Sequence, residues 1–393
     1  MIRSKDNRIG IGNVNNNIIK INFTLIFLSF LTIEYKIFVN KSIALFDVVF
    51  IILSISIFYF IKKKFNNLFF FSTIIIAISL INTFLIFYIH NNWNSLLGAI
   101  IILYLCSILY IYGQIFEFIK IEKIFKIFIY AVIVNCLISI AGIILYFTDT
   151  DTFLICTNCT SSNLLNNFPR FKNFAYSPNS YAFYNFIGIF LLSILNSQFN
   201  KKSYLFFILL LFISLVTLMT LSKTNLLIIS FIIVFLFINR INYISLFLIF
   251  IFIFIINFIF TNILAETSCI YINEHIVQRC NLFLDTKKVY FENFIYNLNI
   301  YGNGFNNYIN NIYPHNTLFD LYYTYGFFGI LILFSISIFI IKNISKIENI
   351  HTKKTIIFFW LLIIIITINE DIFRYRELWI SIAITYGLSK SKI

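Results

Sequence analysis

The chain has 393 residues, of which 60% are hydrophobic and 11% charged, and its mean hydropathy is +0.90. An ordinary soluble domain is about a quarter charged and under half apolar, so a water-facing fold is excluded. The formal net charge of +13 does not indicate nucleic acid as a partner, because lysine and arginine fall in short clusters between apolar runs instead of forming one basic face.

A helix that crosses the hydrocarbon core needs about 20 mostly apolar residues. The apolar runs predict an all-α polytopic integral membrane protein, a single domain over residues 1–393 with about 12 transmembrane helices. In chain order the spans are expected near 19–34, 43–61, 68–89, 95–113, 124–147, 180–197, 204–221, 225–238, 243–263, 326–341, 355–369 and 377–389. The polar start, with Arg3, Lys5 and Arg8, leads into the first run without a small-residue cleavage site, so the first span is expected to be retained. The run at 225–238 is short and is expected to form a tight hairpin with its predecessor around Ser222, Lys223 and Thr224; were it not to span, everything after it would invert.

Charge sets the orientation. With the N-terminus inside, the inner connections hold Lys62 to Lys64, Lys120, Lys123, Lys126, Lys201, Lys202, Arg240, Lys342, Lys346, Lys353, Lys354, Lys390 and Lys392, and the short outer ones hold far fewer basic residues. Both termini are therefore expected in the cytoplasm. Two long segments, 148–179 and 264–325, then lie outside, and loops of such length in a compact membrane protein are usually functional. Cys156, Cys159, Cys269 and Cys280 fall in these outer loops and Cys106 and Cys136 within spans. A structural disulfide among the outer four is the first expectation, with three pairings open; idle thiols or a metal site are the alternatives.

Candidate chemistry gathers in the outer loops. Pro169, Pro178 and Pro314, the only prolines, fall in them or at their ends and mark defined turns. Where the first loop re-enters the membrane the chain reads Pro169-Arg170-Phe171-Lys172, continuing to Pro178-Asn179. Arg170 and Lys172 there serve either as phosphate ligands or as snorkelling interfacial charges. Lys223 occupies an outer turn against the inside bias, as a ligand or as an anchor.

The second loop carries Tyr301-Gly302-Asn303-Gly304-Phe305, then Pro314-His315-Asn316-Thr317, and Gly326-Phe327-Phe328-Gly329 opening a span. Asn316 is expected to cap a helix starting at Thr317, with Asp320 in its favourable first turn. His315 would then lie just before the positive end of that helix, which disfavours imidazolium and leaves a neutral base able to activate a hydroxyl. The same helix end would favour a diphosphate leaving group. Arg279, Lys287 and Lys288, earlier in the loop, are donor-site candidates or ordinary solvated charges. Glu370, Asp371, Arg374 and Arg376, at the last outer turn, are expected to form ion pairs with one another.

These residues resemble the O-antigen ligase and O-antigen polymerase superfamily of bacterial surface-polysaccharide enzymes. The likeness rests on His315-Asn316, nine residues, Gly326, two residues and Gly329; on Gly302 and Gly304; on the stretch from Arg170 to Pro178-Asn179; and on Ser222-Lys223, where the family has Ser-Arg. Lysine lacks the arginine fork, so this last match is a departure. The resemblance implies an inverting glycosyltransferase of the bacterial inner membrane, metal-independent and without a cofactor, acting on the periplasmic face. The donor would be an undecaprenyl-diphosphate-linked glycan and the acceptor a sugar hydroxyl of lipid A-core or of a second lipid-linked glycan. It implies His315 as general base, Arg170, Lys223 and Arg279 on the diphosphate, and membrane lipids as surroundings. O-antigen ligase is the first expectation and a polymerase of O-antigen or capsule the second. A transporter or flippase, the remote third, would use ionisable residues or broken helices near the midplane, and Asp47, the main acidic residue within a span, lies towards an end.

Overall fold

The computed structural model describes residues 16–33, 35, 44–60, 66–90, 94–147, 155–156, 170–171, 177–199, 204–220, 222, 224–238, 241–258, 289–292, 300–305 and 316–390. Among these the chain is helical apart from one two-residue strand pair and the turns and short loops beside the helices. The first five helices are α1 (Asn16–Leu31), α2 (Leu45–Phe60), α3 (Asn67–His90), α4 (Asn94–Phe118) and α5 (Ile121–Phe147). Strands β1 (Ile155–Cys156) and β2 (Arg170–Phe171) pair antiparallel, with Cys156 opposite Arg170. Then come α6 (Pro178–Phe199), α7 (Tyr204–Leu218), α8 (Thr224–Phe237) and α9 (Tyr243–Phe258). The last four are α10 (Thr317–Tyr325), α11 (Phe327–Ser345), α12 (Ile350–Asn369) and α13 (Arg376–Lys390).

Each of the expected apolar runs coincides with a helix, and α10 is added to them. Six helices, α3 to α6, α11 and α12, are long and apolar enough to cross a membrane, and α2, α7, α8 and α9 contribute shorter apolar segments. This is the composition of a helical membrane protein. Helices satisfy all backbone polar groups within one segment, which a lipid environment demands.

Burial divides the helices. On α7 the residues Leu205, Ile208, Leu211 and Leu215 are exposed while Phe206, Leu210, Ile213 and Val216 are buried, an apolar face on both sides of one helix. Water would not tolerate such an outer face, but lipid does. Helix α6 sits at the other extreme, with 89% of its span buried. It carries Ser180, Asn185, Gly188 and Ser193, all too polar or small for a lipid-facing helix, and its rings lock it to neighbours, Phe190 stacking on Phe359 of α12 at 3.8 Å.

Small residues bring axes together. A side chain at Gly188 would meet Val132 of α5 at 2.9 Å, and one at Gly387 of α13 would meet Phe116 of α4 at 2.5 Å. A polar cluster adds direction where α1, α5 and α6 meet. Asn135 donates to Leu31 O at 3.1 Å and to Tyr184 Oη at 3.3 Å, and Tyr184 donates to Phe30 O at 3.0 Å. Tyr35 also donates to Asn135, and Tyr181 lies 2.7 Å from Ser139 Oγ.

Candidate functional site

The site is built around α10. Asn316 has extended backbone and its side chain accepts from the Phe319 N–H at 3.1 Å, so it is the N-cap the sequence predicts. Its other amide atom donates to Ile368 O at 2.6 Å, at the end of α12. Next to it, Thr317 donates to Glu370 O at 2.9 Å and accepts from Ile372 N at 3.1 Å. The first turn of α10 is thereby stitched to the turn 370–375, between α12 and α13.

Asp320 is buried, and its role exceeds a favourable charge near a helix start. Nη2 of Arg374 donates to both of its carboxylate oxygens, at 2.9 and 3.0 Å. Arg374 Nε stands 3.5 Å from Asp371 Oδ2, and its guanidinium lies over the Phe305 ring, 4.4 Å from the centroid. The carboxyl of Asp371, which also accepts from Phe373 N at 3.2 Å, is raised from the ordinary carboxylate range to about 6. Burial is the main cause; Arg374 and the Phe373 N–H act against it.

Beside this cluster Arg376 forks onto Asp47, with Nε to Oδ1 at 3.0 Å and Nη2 to Oδ2 at 2.9 Å. Tyr104 donates to the same carboxylate, and Ala44 N does so at 2.7 Å. The last turn thus makes one of the expected pairings within itself, Arg374 with Asp371. Its principal partners, Asp320 and Asp47, come from α10 and α2.

The far end of α10 is held differently. Gly326 N donates to Tyr322 O at 2.6 Å and closes the helix, so α10 fills the nine positions between Asn316 and Gly326. Gly302, Gly304 and Gly326 all have positive φ, a conformation that favours glycine. Strand-like contacts lay the 300–305 segment along the end of α10: Asn303 N to Tyr323 O at 2.8 Å, Gly304 N to Thr324 O at 3.1 Å, Phe327 N to Ile300 O at 3.0 Å. A Cβ at Gly302 would stand 2.5 Å from Gly326 N, and one at Gly329 would stand 2.2 Å from Leu321 O. Asn82 of α3 secures the joint by donating to Tyr301 O at 2.8 Å and Tyr325 O at 3.1 Å.

The structure therefore brings Gly302, Gly304, Gly326 and Gly329 together at the end of α10 and sets Asn316 at its start. Pro178 and Asn179 open α6, where Ser177 and Ser180 cap each other, Ser180 N donating to Ser177 Oγ and Ser177 N to Ser180 Oγ, both at 3.2 Å. One and a half turns on, the Phe183 ring lies 6.1 Å from that of Tyr375, which joins the start of α6 to the same turn as the start of α10. Of Arg170 the backbone is described, paired with Cys156. His315, Lys223 and Arg279 lie outside the described residues, as do Lys172, Lys287, Lys288, Cys159, Cys269 and Cys280. Cys106 and Cys136 are buried free thiols within α4 and α5.

Sequence reasoning missed Asp320, Arg374, Arg376 and Asn82 as organisers of the site. A signal did exist: arginine occurs only at positions 3, 8, 170, 240, 279, 374 and 376 among 29 basic residues. Where lysine is the default cation, two arginines spaced two apart point to carboxylates that need a fork. Comparison with known proteins adds no family: no family model matches the chain, and no curated protein or solved structure matches it at a significant level.

Proposed function

We propose that this protein is a membrane glycan transferase that moves an undecaprenyl-diphosphate-linked glycan to an acceptor sugar hydroxyl, O-antigen ligase with a lipid A-core acceptor being the leading assignment. On this reading it crosses the bacterial inner membrane about 12 times, with both termini cytoplasmic and the site periplasmic. His315 takes the acceptor hydroxyl's proton as that oxygen bonds to the anomeric carbon in line, with inversion, and the bond from that carbon to the diphosphate breaks, Arg170, Lys223 and Arg279 holding the departing diphosphate.

The observation that carries this reading is the match between motif spacing and α10. Nine residues separate Asn316 from Gly326, and nine residues form the helix between that N-cap and its closing glycine. A spacing that would be arbitrary in a loop is the length of one capped helix, and residue 315 immediately precedes the cap. The N–H groups of the first turn favour a neutral imidazole there and negative charge beside it.

The test is complementation of a deletion strain. His315→Ala is expected to abolish surface-glycan assembly at unchanged protein level, and full assembly by that variant would remove the general-base role. Bare core with long lipid-linked polymer in the deletion strain indicates the ligase. Core carrying a single repeat would replace it with a polymerase.

A further inference from the structure

We infer that Asp320 and Arg374 are positioning residues: their ion pair ties the first turn of α10 to the 370–375 turn, sets the place of the N-cap Asn316 that follows His315 in the chain, and takes no part in holding the donor's diphosphate. The catalytic half of this inference rests on the transferase reading; its structural half does not.

Arg374 has the position expected of an anion ligand, beside the entry of α10 and about a quarter exposed, at 24%. Its surroundings rule against that use. The guanidinium faces two carboxylates, Asp320 at 2.9 and 3.0 Å and Asp371 at 3.5 Å, and one face of it is covered by Phe305. With both acids ionised these three side chains sum to one negative charge, which disfavours a diphosphate on Arg374. What the pair does supply is a charged tie where the neighbouring ties are neutral, since Asn316 and Thr317 bind backbone groups of α12 and the 370–375 turn. Asp320 sits on the face of α10 turned towards that turn, five residues beyond 315, and its side chain is 1% exposed. Asp371 also faces Arg374, so the pair is isolated only where Asp371 is made neutral: on an Asp371→Asn background, loss of either partner leaves a charge uncompensated, whereas loss of both does not.

The experiment uses the full-length protein in vesicles, with Asp320→Asn, Arg374→Gln and the double variant, all on an Asp371→Asn background that serves as their wild type, so that the double holds none of the three charges. Backbone hydrogen exchange over 316–325 is expected to rise about tenfold or more in each single variant and to return to within about threefold in the double, while 178–196 stays unchanged. Binding of undecaprenyl diphosphate to Arg374→Gln is expected to stay within about twofold of wild type. Transfer measured per folded protein should lose about tenfold in kcat in each single variant with donor KM within about threefold, and the double should recover it.

Unchanged exchange in the single variants, or effects that simply multiply in the double, would overturn the tie. A tenfold weaker binding of undecaprenyl diphosphate would make Arg374 a phosphate ligand instead. If a single variant does not accumulate, the double, which buries no unpaired charge, decides: a double that also fails, or that exchanges fast over 316–325, counts against the pair as an isolated coupling. If the wild type binds no undecaprenyl diphosphate, the transferase reading fails, and the exchange measurement still judges the tie.

Discussion

The two ends of α10 are held by opposite means. At its start the holding groups are side chains, Asn316, Thr317 and Asp320, each reaching backbone or charge that lies 52 to 55 residues further along the chain. At its end they are chiefly backbone amides and glycines, joined by the Asn82 side chain and packed so closely that Gly329 has no room for a methyl group. Side-chain ties can be weakened one at a time. Backbone contacts at the packing limit are kept or lost whole. A helix fixed at its end and tunable at its start places its adjustable part next to residue 315.

The largest effect should come from the fixed end. Gly329→Ala puts a carbon 2.2 Å from Leu321 O, where both partners are backbone in adjoining helices, so one helix must move. A loss of about 3 kcal/mol or more is expected, read as a lower unfolding midpoint in detergent. Wild-type stability in this variant would break the comparison, because the close approach would then not hold α10 and α11 together.

The second effect belongs to the start and depends on pH. Asp371 titrates at about 6 in the folded chain, above its ordinary range, so the unfolded state binds fewer protons between about pH 4 and 6. The stability this group contributes is fully present below about pH 4 and is lost as pH rises through about 6, a change of roughly 2–3 kcal/mol. Asp371→Asn should remove that slope, gaining on the wild type towards neutral pH. Parallel stability curves for the two proteins from pH 4 to 7 would show that Asp371 is not buried in the way described.

The smallest effect is at the cap. Asn316→Ala removes the bond from Phe319 N and the donor to Ile368 O, a loss of about 1–2 kcal/mol. Asn316→Asp keeps the acceptor and should fall about halfway, which thermal unfolding of the two variants resolves. Equal losses in both would mean that the contact with α12, not the cap, holds this end.

Much of the frame was legible. The apolar runs at 68–89 and 204–221 became α3 and α7 within a few residues, because an unbroken run of that kind has one low-energy form in lipid. Errors arose where polar residues belong to a helix. Helix α12 begins at Ile350 and not near 355, because Asn349 accepts from His351 N and Thr352 N and starts the helix ahead of the lysines. Helix α4 runs on to Phe118, past Gln114 and Glu117. The cap at Asn316 could be read because it is local, an acceptor three residues before its donor.

What the sequence by itself determined are the features written in neighbouring residues: a helical membrane protein, the helix after Asn316, and the glycines at 302, 304, 326 and 329 that flank it. What only the tertiary structure decided is which distant groups meet. Asp320 with Arg374, Asp47 with Arg376, and Asn82 with Tyr301 and Tyr325 are separated by 54, 329, 219 and 243 positions. Composition marks a carboxylate as needing a partner, because a buried charge without one is costly. It does not say which guanidinium will come, since that depends on how the helices pack.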